Sequence, residues 1–184
     1  MPRTLAELDA HLDHVRAAPR ERGTVELIVR RPARLEREVI EEAELDTVHG
    51  LVGDSWIARP SKRTPDGSPN IGQQLTLMSS RAIVALTEPG DHARWALAGD
   101  QLFVDFALAE AHLPPGTRLA IGGAVIEISA VPHTGCAKFT ERFGSDATKW
   151  VNSDAGIALH LRGVNARVLA SGTVRRGDAI TRVP

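Results

Sequence analysis

The first regularity along the chain is helical. In "TLAELDAHLDHVRAA", Leu5, Leu8, Leu12 and Val15 recur every three or four residues and so share one face, which predicts a helix over Thr4–Ala17. Thr4 and Glu7 match a capping box, each side chain satisfying a free amide of the other's turn. From residue 24 the texture becomes β-rich. "TVELIVRR" reads as a strand. "ARLEREVIEEAELD" is charged enough for an exposed helix or a half-exposed strand, and strand is favoured because the turn-like "HGLVGDSW" follows at once. Residues 60–72, "PSKRTPDGSPNIG", form a long loop, and loops of that length are often functional. "QQLTLM" reads as a strand, "SSRAIVALT" as a helix capped by Ser79 or Ser80, and "DQLFVDFAL" as a further strand.

The second half is clearer. In "TRLAIGGAVIEISAV", two β-rich runs flank Gly122-Gly123, the mark of a tight hairpin with Ile126 and Ile128 on one face. "AKFTERFG" predicts a short helix ended by Gly144, and "SDATKWVNS" another capped by Ser145. The tail, "GVNARVLASGTVRRGDAITRV", reads as strands broken at Ser171-Gly172 and Gly177-Asp178. Many short strands with few, irregularly placed helices predict a mainly β fold. The expected architecture is a twisted, closed or nearly closed β-barrel with peripheral short helices. Residues 1–20 are read as a helix packed on the domain and residues 24–184 as the barrel.

Composition narrows the class. The chain has 184 residues, enough for one domain with a sizeable core. With 22 Lys+Arg against 23 Asp+Glu, no global field attracts nucleic acid or an anionic membrane, so neither is an expected partner. No apolar run approaches the roughly 20 residues that span a bilayer, and the first residues lack a secretory pattern, so the expected location is cytoplasmic.

The lone cysteine, Cys136, carries the first candidate chemistry. It excludes an internal disulfide and a closed multi-cysteine zinc site. It stands where "VPHTG" gives way to a helix, and free amides at a helix start favour a thiolate. Free cysteine is also among the most buried residue types, so an inert core thiol stands beside a nucleophile or metal ligand. His133, three residues earlier, is a candidate base for the thiol or a second ligand, or a loop histidine making a single hydrogen bond. His11 and His14 have a metal-like spacing but no third ligand nearby, and are read as solvated.

In order, these features resemble the MOSC domain, the module similar to the C-terminal part of molybdenum-cofactor sulfurases. The matching pieces are "HGLVGDSW", "QQLTLMSSRAI", "LAGDQLFVD", "LPPGTRLAIGGAVIEISAVPHTGCAKFTERFG" and "LRGVNARVLASGTVRRGD". The resemblance implies a barrel like the C-terminal barrel of pyruvate kinase. It implies that Cys136 ligates molybdenum in a molybdopterin cofactor or carries sulfur as a persulfide. It further implies reduction of N-hydroxylated small molecules with electrons from a partner redox protein, and pyridoxal phosphate binding at the family level. The cofactor contacts would fall to Lys138, Thr134, Arg142, Arg162, Asp100 and Gln101. Three departures stand out. Gly99-Asp100-Gln101 replaces the family's Gly-Glu-Asn, His133-Thr134-Gly135 replaces a basic residue before the cysteine, and "SWIARPSKRTPDGSPN" stands where a His-Gly-Gly stretch is frequent. A barrel that has lost the cofactor and only binds a ligand is the remaining expectation.

Overall fold

In the computed structural model, which describes residues 2–184, the β-rich stretches form β1 (Arg22–Arg30), β2 (Glu38–Ile40), β3 (Glu42–Asp46), β4 (Gly50–Leu51), β5 (Leu75–Ser79), β6 (Leu102–Asp105), β7 (Arg118–Ile121), β8 (Ala124–Ile128), β9 (Val164–Ala170), β10 (Gly172–Arg175) and β11 (Ala179–Val183). Seven of them close into a barrel in the order β11-β7-β8-β9-β5-β6-β1, and pairing of β1 with β11 seals it. Gly23 faces Ile180 across that seam. β2 extends the sheet beyond β1, and β10-β3-β4 form a separate three-stranded sheet. The barrel expected from the sequence is therefore present and closed.

Each strand pair is antiparallel except β5 with β6. A parallel pair needs a long crossover. Here it contains α3 (Ser80–Leu86) and α4 (His92–Ala96). The β7–β8 hairpin turns at Gly122-Gly123 as expected, with Gly122 at φ 53°, a left-handed conformation that favours glycine. Ile126 and Ile128 both point into the core.

Two apolar cores share the barrel wall. Val25, Ile28, Leu75, Leu77, Leu102 and Val104 fill the interior, while Leu27, Val29, Met78 and Phe103 pack outward against helices. A register shift between Val25 and Leu27 explains how Val25 and Ile28, three positions apart, both face inward. β5 is buried along its whole length because it has the barrel interior on one side and helices on the other.

The helical layer differs from the sequence expectation in detail. The helix expected over Thr4–Ala17 is two pieces, α1 (Leu5–Asp9) and α2 (Leu12–Arg16). The chain turns at Ala10-His11, where the His11 ring reaches Arg3 Nη1 at 3.2 Å and is only partly solvated. The capping box at Thr4 and Glu7 forms. α5 (Ala137–Phe143) ends at Gly144, and Gly144 rather than Ser145 is the N-cap of α6 (Ser145–Val151). α4 and α7 (Asp154–Ala158) were not foreseen. Each is a single five-residue turn, too short to show a period, although Asp91 and Ser153 cap them with side-chain bonds. Among the described residues no helix is long and apolar enough to cross a membrane.

Candidate functional site

The site grows from the C-terminal end of α4. Carbonyls at a helix end lack helical partners and attract cations. Three arginines answer three successive carbonyls here. Arg142 Nη1 donates to Leu97 O at 2.6 Å, Arg162 Nη2 to Ala98 O at 2.9 Å, and Arg31 Nη1 to Gly99 O at 2.8 Å. The next residue, Asp100, is fully buried. Its carboxylate accepts from Arg162 Nη1 at 2.6 Å and from His133 Nε2 at 2.8 Å. Burial pushes the Asp100 carboxyl up, but Arg162 and His133 more than offset this and hold it below its ordinary value. Burial, aided by Arg162, pushes the His133 imidazole below its ordinary value even against the pull of Asp100. The pair is thus a carboxylate and a neutral imidazole at neutral pH, with the proton on the Nε2 that faces Asp100. Arg162 also lies over the Phe139 ring of α5, 4.9 Å from its centroid.

Arg31 is fixed from behind. Its Nε and Nη2 bond Asp54 Oδ2 and Oδ1 at 2.7 and 2.9 Å, a buried two-pronged pair. Asp54 also accepts from the backbone amides of Arg31 and Trp56. The end of β1, the turn at Ser55–Ala58 and the loop after α4 are thereby tied together.

Beside this frame opens a cleft of about 370 Å³ lined by Arg34, Arg37, Arg59, Lys138 and Arg142, with Leu35, Ser55 and Ala58, and no carboxylate. The space over Gly99 lies between two guanidiniums: a methyl group there would sit 3.5 Å from Arg37 Nη2 and 3.8 Å from Arg142 Nη1. Burial and then the neighbouring charges of Arg142, Arg31 and Arg59 lower the pKa of Arg37. Arg37 Nε is buried with no hydrogen-bond partner. A second basic hollow of about 430 Å³ shares Arg59 and adds Lys62 and Arg63 from the long loop, with His133 and Asn165 in its wall. Like charges held together without counter-charges describe a site for an anion.

Cys136 is the N-cap of α5 and is exposed and free. An inert core thiol is therefore ruled out. Lys138 and Arg142 follow it on the same helix and line the cleft. The preceding loop is anchored by Asn152, whose side chain bonds both the amide and the carbonyl of Gly135. Among the described residues no three His, Cys, Asp or Glu side chains cluster to hold a metal ion, so a metal bound here would need ligands of its own.

The sequence candidates separate in space. Lys138 and Arg142 lie in the basic cleft, as a role in anion binding requires. Thr134 is exposed and lines a different, largely apolar cavity. His133 Nε2 is engaged with Asp100. Arg162, Asp100 and Gln101, expected to touch a cofactor, are buried, and each bonds internal partners. Gln101 Oε1 accepts from Thr76 N and Oγ1, and its Nε2 donates to Gln74 O. Arg31, Arg37 and Arg59 were missed, since an arginine in a charged loop gives no sign of what it faces. The adjacent charges in "RRPARLERE" were the one available signal.

The fold and site define a closed β-barrel protein with a flanking helix that begins at an exposed cysteine and carries Lys138 and Arg142 into a cationic cleft. The MOSC domain family model matches residues 49–181, and the chain belongs to that family. Among solved structures, the YuaD protein from Bacillus subtilis superposes with a TM-score of 0.61 at 17% identity, covering 86% of this chain and 94% of that one. YiiM from Geobacillus stearothermophilus gives 0.61 at 15% identity, covering 88% and 75%. YiiM from Escherichia coli gives 0.56 at 18% identity, covering 88% and 70%. At these identities the likeness is one of fold. No curated protein matches the sequence.

Proposed function

We propose that this MOSC-family protein binds the molybdenum cofactor, with the Cys136 thiolate as protein ligand to the metal and the Arg37–Arg59–Lys138–Arg142 cleft holding the cofactor's anionic groups. The observation that carries this reading is the cleft itself: five cations without a carboxylate, one guanidinium nitrogen unsatisfied, beside the helix that Cys136 opens. The residues fit the group. A soft, exposed thiolate suits a metal that brings its remaining ligands with it. Guanidiniums and an ammonium suit phosphate, the arginines as two-pronged donors and Lys138 as a point charge.

The cofactor would supply two-electron redox chemistry, and this reading extends to reduction of N-hydroxylated small molecules with electrons from a partner redox protein. The chain's own work is positional. Asn152 fixes Gly135 and so the approach to Cys136. Arg142, which lines the cleft, is held by Leu97 O, next to the Ala98 and Gly99 carbonyls that Arg162 and Arg31 engage. The test is elemental analysis and oxidised-pterin fluorescence on protein made in a host that synthesises the cofactor. Molybdenum and pterin should co-purify, and Cys136→Ser should lose the metal. Undiminished molybdenum in Cys136→Ser would overturn the ligand assignment, and wild-type protein free of both would overturn the reading. If the metal is absent and intact mass shows a reducible gain of one sulfur at Cys136, the persulfide-carrier alternative replaces it.

A further inference from the structure

The second basic hollow, of about 430 Å³, is the size of a small-molecule pocket and is separate from the cleft assigned above to the cofactor. Arg31 in its wall is already paired with Asp54. Among the described residues its other cations, Arg59, Lys62 and Arg63, pair with no carboxylate. Arg59 Nε and Nη2 both engage the Ser55 hydroxyl, at 3.2 and 2.7 Å, which leaves Nη1 to donate elsewhere. The loop's own acid, Asp66, accepts from Ser68 N at 3.0 Å and does not line the hollow.

The loop that carries Lys62 and Arg63 is closed on itself. Ser61 N donates to Gly67 O and Gly67 N to Thr64 O, each at 3.2 Å, and Thr64 Oγ1 donates to Ser61 O at 3.1 Å. Its far end is tied to Trp56, whose Nε1 donates to Asn70 O at 3.3 Å. The loop cations therefore stand on a backbone of defined shape rather than on a loose strand of chain.

Cys136 lies between the two basic spaces. His133, three residues before it, lines the hollow, and Lys138, two residues after it, lines the cleft. Extended chain spans at most about 11 Å over three residues and about 7 Å over two, which bounds the distance from Cys136 to each wall. Arg59 lines both spaces.

We infer that the hollow receives the oxyanion of an acidic N-hydroxylated substrate, a carboxylate or phosphate ester held by Arg59, Lys62 and Arg63, while the cleft holds the cofactor. The inference rests on the cofactor reading for its reaction, but the oxyanion site is tested by binding to protein that carries no molybdenum.

The experiment is calorimetric titration of the full chain, made in a host lacking the cofactor, with N-hydroxybenzamidine and with its 4-carboxy and 4-phosphonooxy derivatives. The tighter acidic probe should bind at least about tenfold more tightly than the neutral one, the effect of charge-assisted hydrogen bonds. That advantage should shrink as salt is raised. Lys62 and Arg63 are exposed, so the double variant Lys62→Gln, Arg63→Gln should fold and lose most of the advantage. Arg34→Gln, in the cleft alone, should keep it. Protein loaded with molybdenum should keep it too, as a lower KM for the acidic probe. Equal affinity for acidic and neutral probes, loss of the preference in Arg34→Gln but not in the double variant, or its loss on loading with molybdenum would each overturn the inference. If protein from a competent host holds no molybdenum yet keeps the preference, the cofactor reading fails alone and the oxyanion site stands.

Discussion

At the scale of residues, the informative unit is His133 with Asp100. An imidazole held below its ordinary pKa binds its proton less readily folded than unfolded. As pH falls through the ordinary value of 6.5, the unfolded chain takes up the proton first, so stability present above that pH is lost below it. Urea unfolding at about pH 7 and about pH 5 should show wild type losing more stability on acidification than His133→Gln. His11 and His112 are lowered in the same direction, so a residual slope should remain in the variant. Equal slopes would show that His133 is not the group responsible. This pair also marks the limit of reading residues from sequence. Cys136 was legible because it is unique and stands at a loop-to-helix step. The pairing of His133 with Asp100 was not, because 33 positions separate them and only barrel closure brings them together. The same is true of Arg162, whose local sequence gives no hint that both its terminal nitrogens are used inside the fold.

At the scale of elements, the joints between strand ends and helix ends carry the strongest effects. The Arg31–Asp54 pair joins β1 to the turn at Ser55–Ala58 with side chains 8% and 0% exposed. Asp54→Ala leaves a buried guanidinium without its counter-charge and should cost about 3–5 kcal/mol in urea unfolding. Arg31→Met with Asp54→Leu, which removes both charges, should cost less than the single variant. The cleft predicts the opposite sign. Its cations repel one another when no anion is present, so Arg37→Gln should raise the melting temperature of ligand-free protein while reducing retained cofactor in a competent host. A variant that lowers both would point to a scaffolding role for Arg37. Elements were read well where a pattern ran long enough. The β7–β8 hairpin follows its alternation, and β1, whose alternation a register shift interrupts, was read from its run of β-branched and apolar residues. α4 and α7 escaped because five residues are too few to show a helical period, and the break between α1 and α2 lies inside an uninterrupted apolar stripe.

At the scale of the whole molecule, the barrel depends on a few close backbone approaches. Gly163 enters β9 at φ 102°, and a methyl group there would collide with the Leu77 carbonyl of β5. Gly163→Ala should lower stability by about 1–3 kcal/mol from backbone strain alone, more once the collision is included, as read by urea unfolding. Architecture was legible from many short strands and scarce helices, but strand order was not. β9 lies between β5 and β8, and β1 between β6 and β11, pairings that no local pattern encodes. The seam between β1 and β11 has a consequence for biogenesis. β1, the first strand of the barrel in chain order, must wait for β11, the last, because Arg22, Gly23 and Thr24 pair with Thr181, Ile180 and Ala179. Until that segment emerges, β1 has an unpaired edge with Val25, Leu27 and Ile28 close by. The barrel therefore closes only once Ala179–Val183 is available to pair with β1, and until then the sheet stays open along that seam.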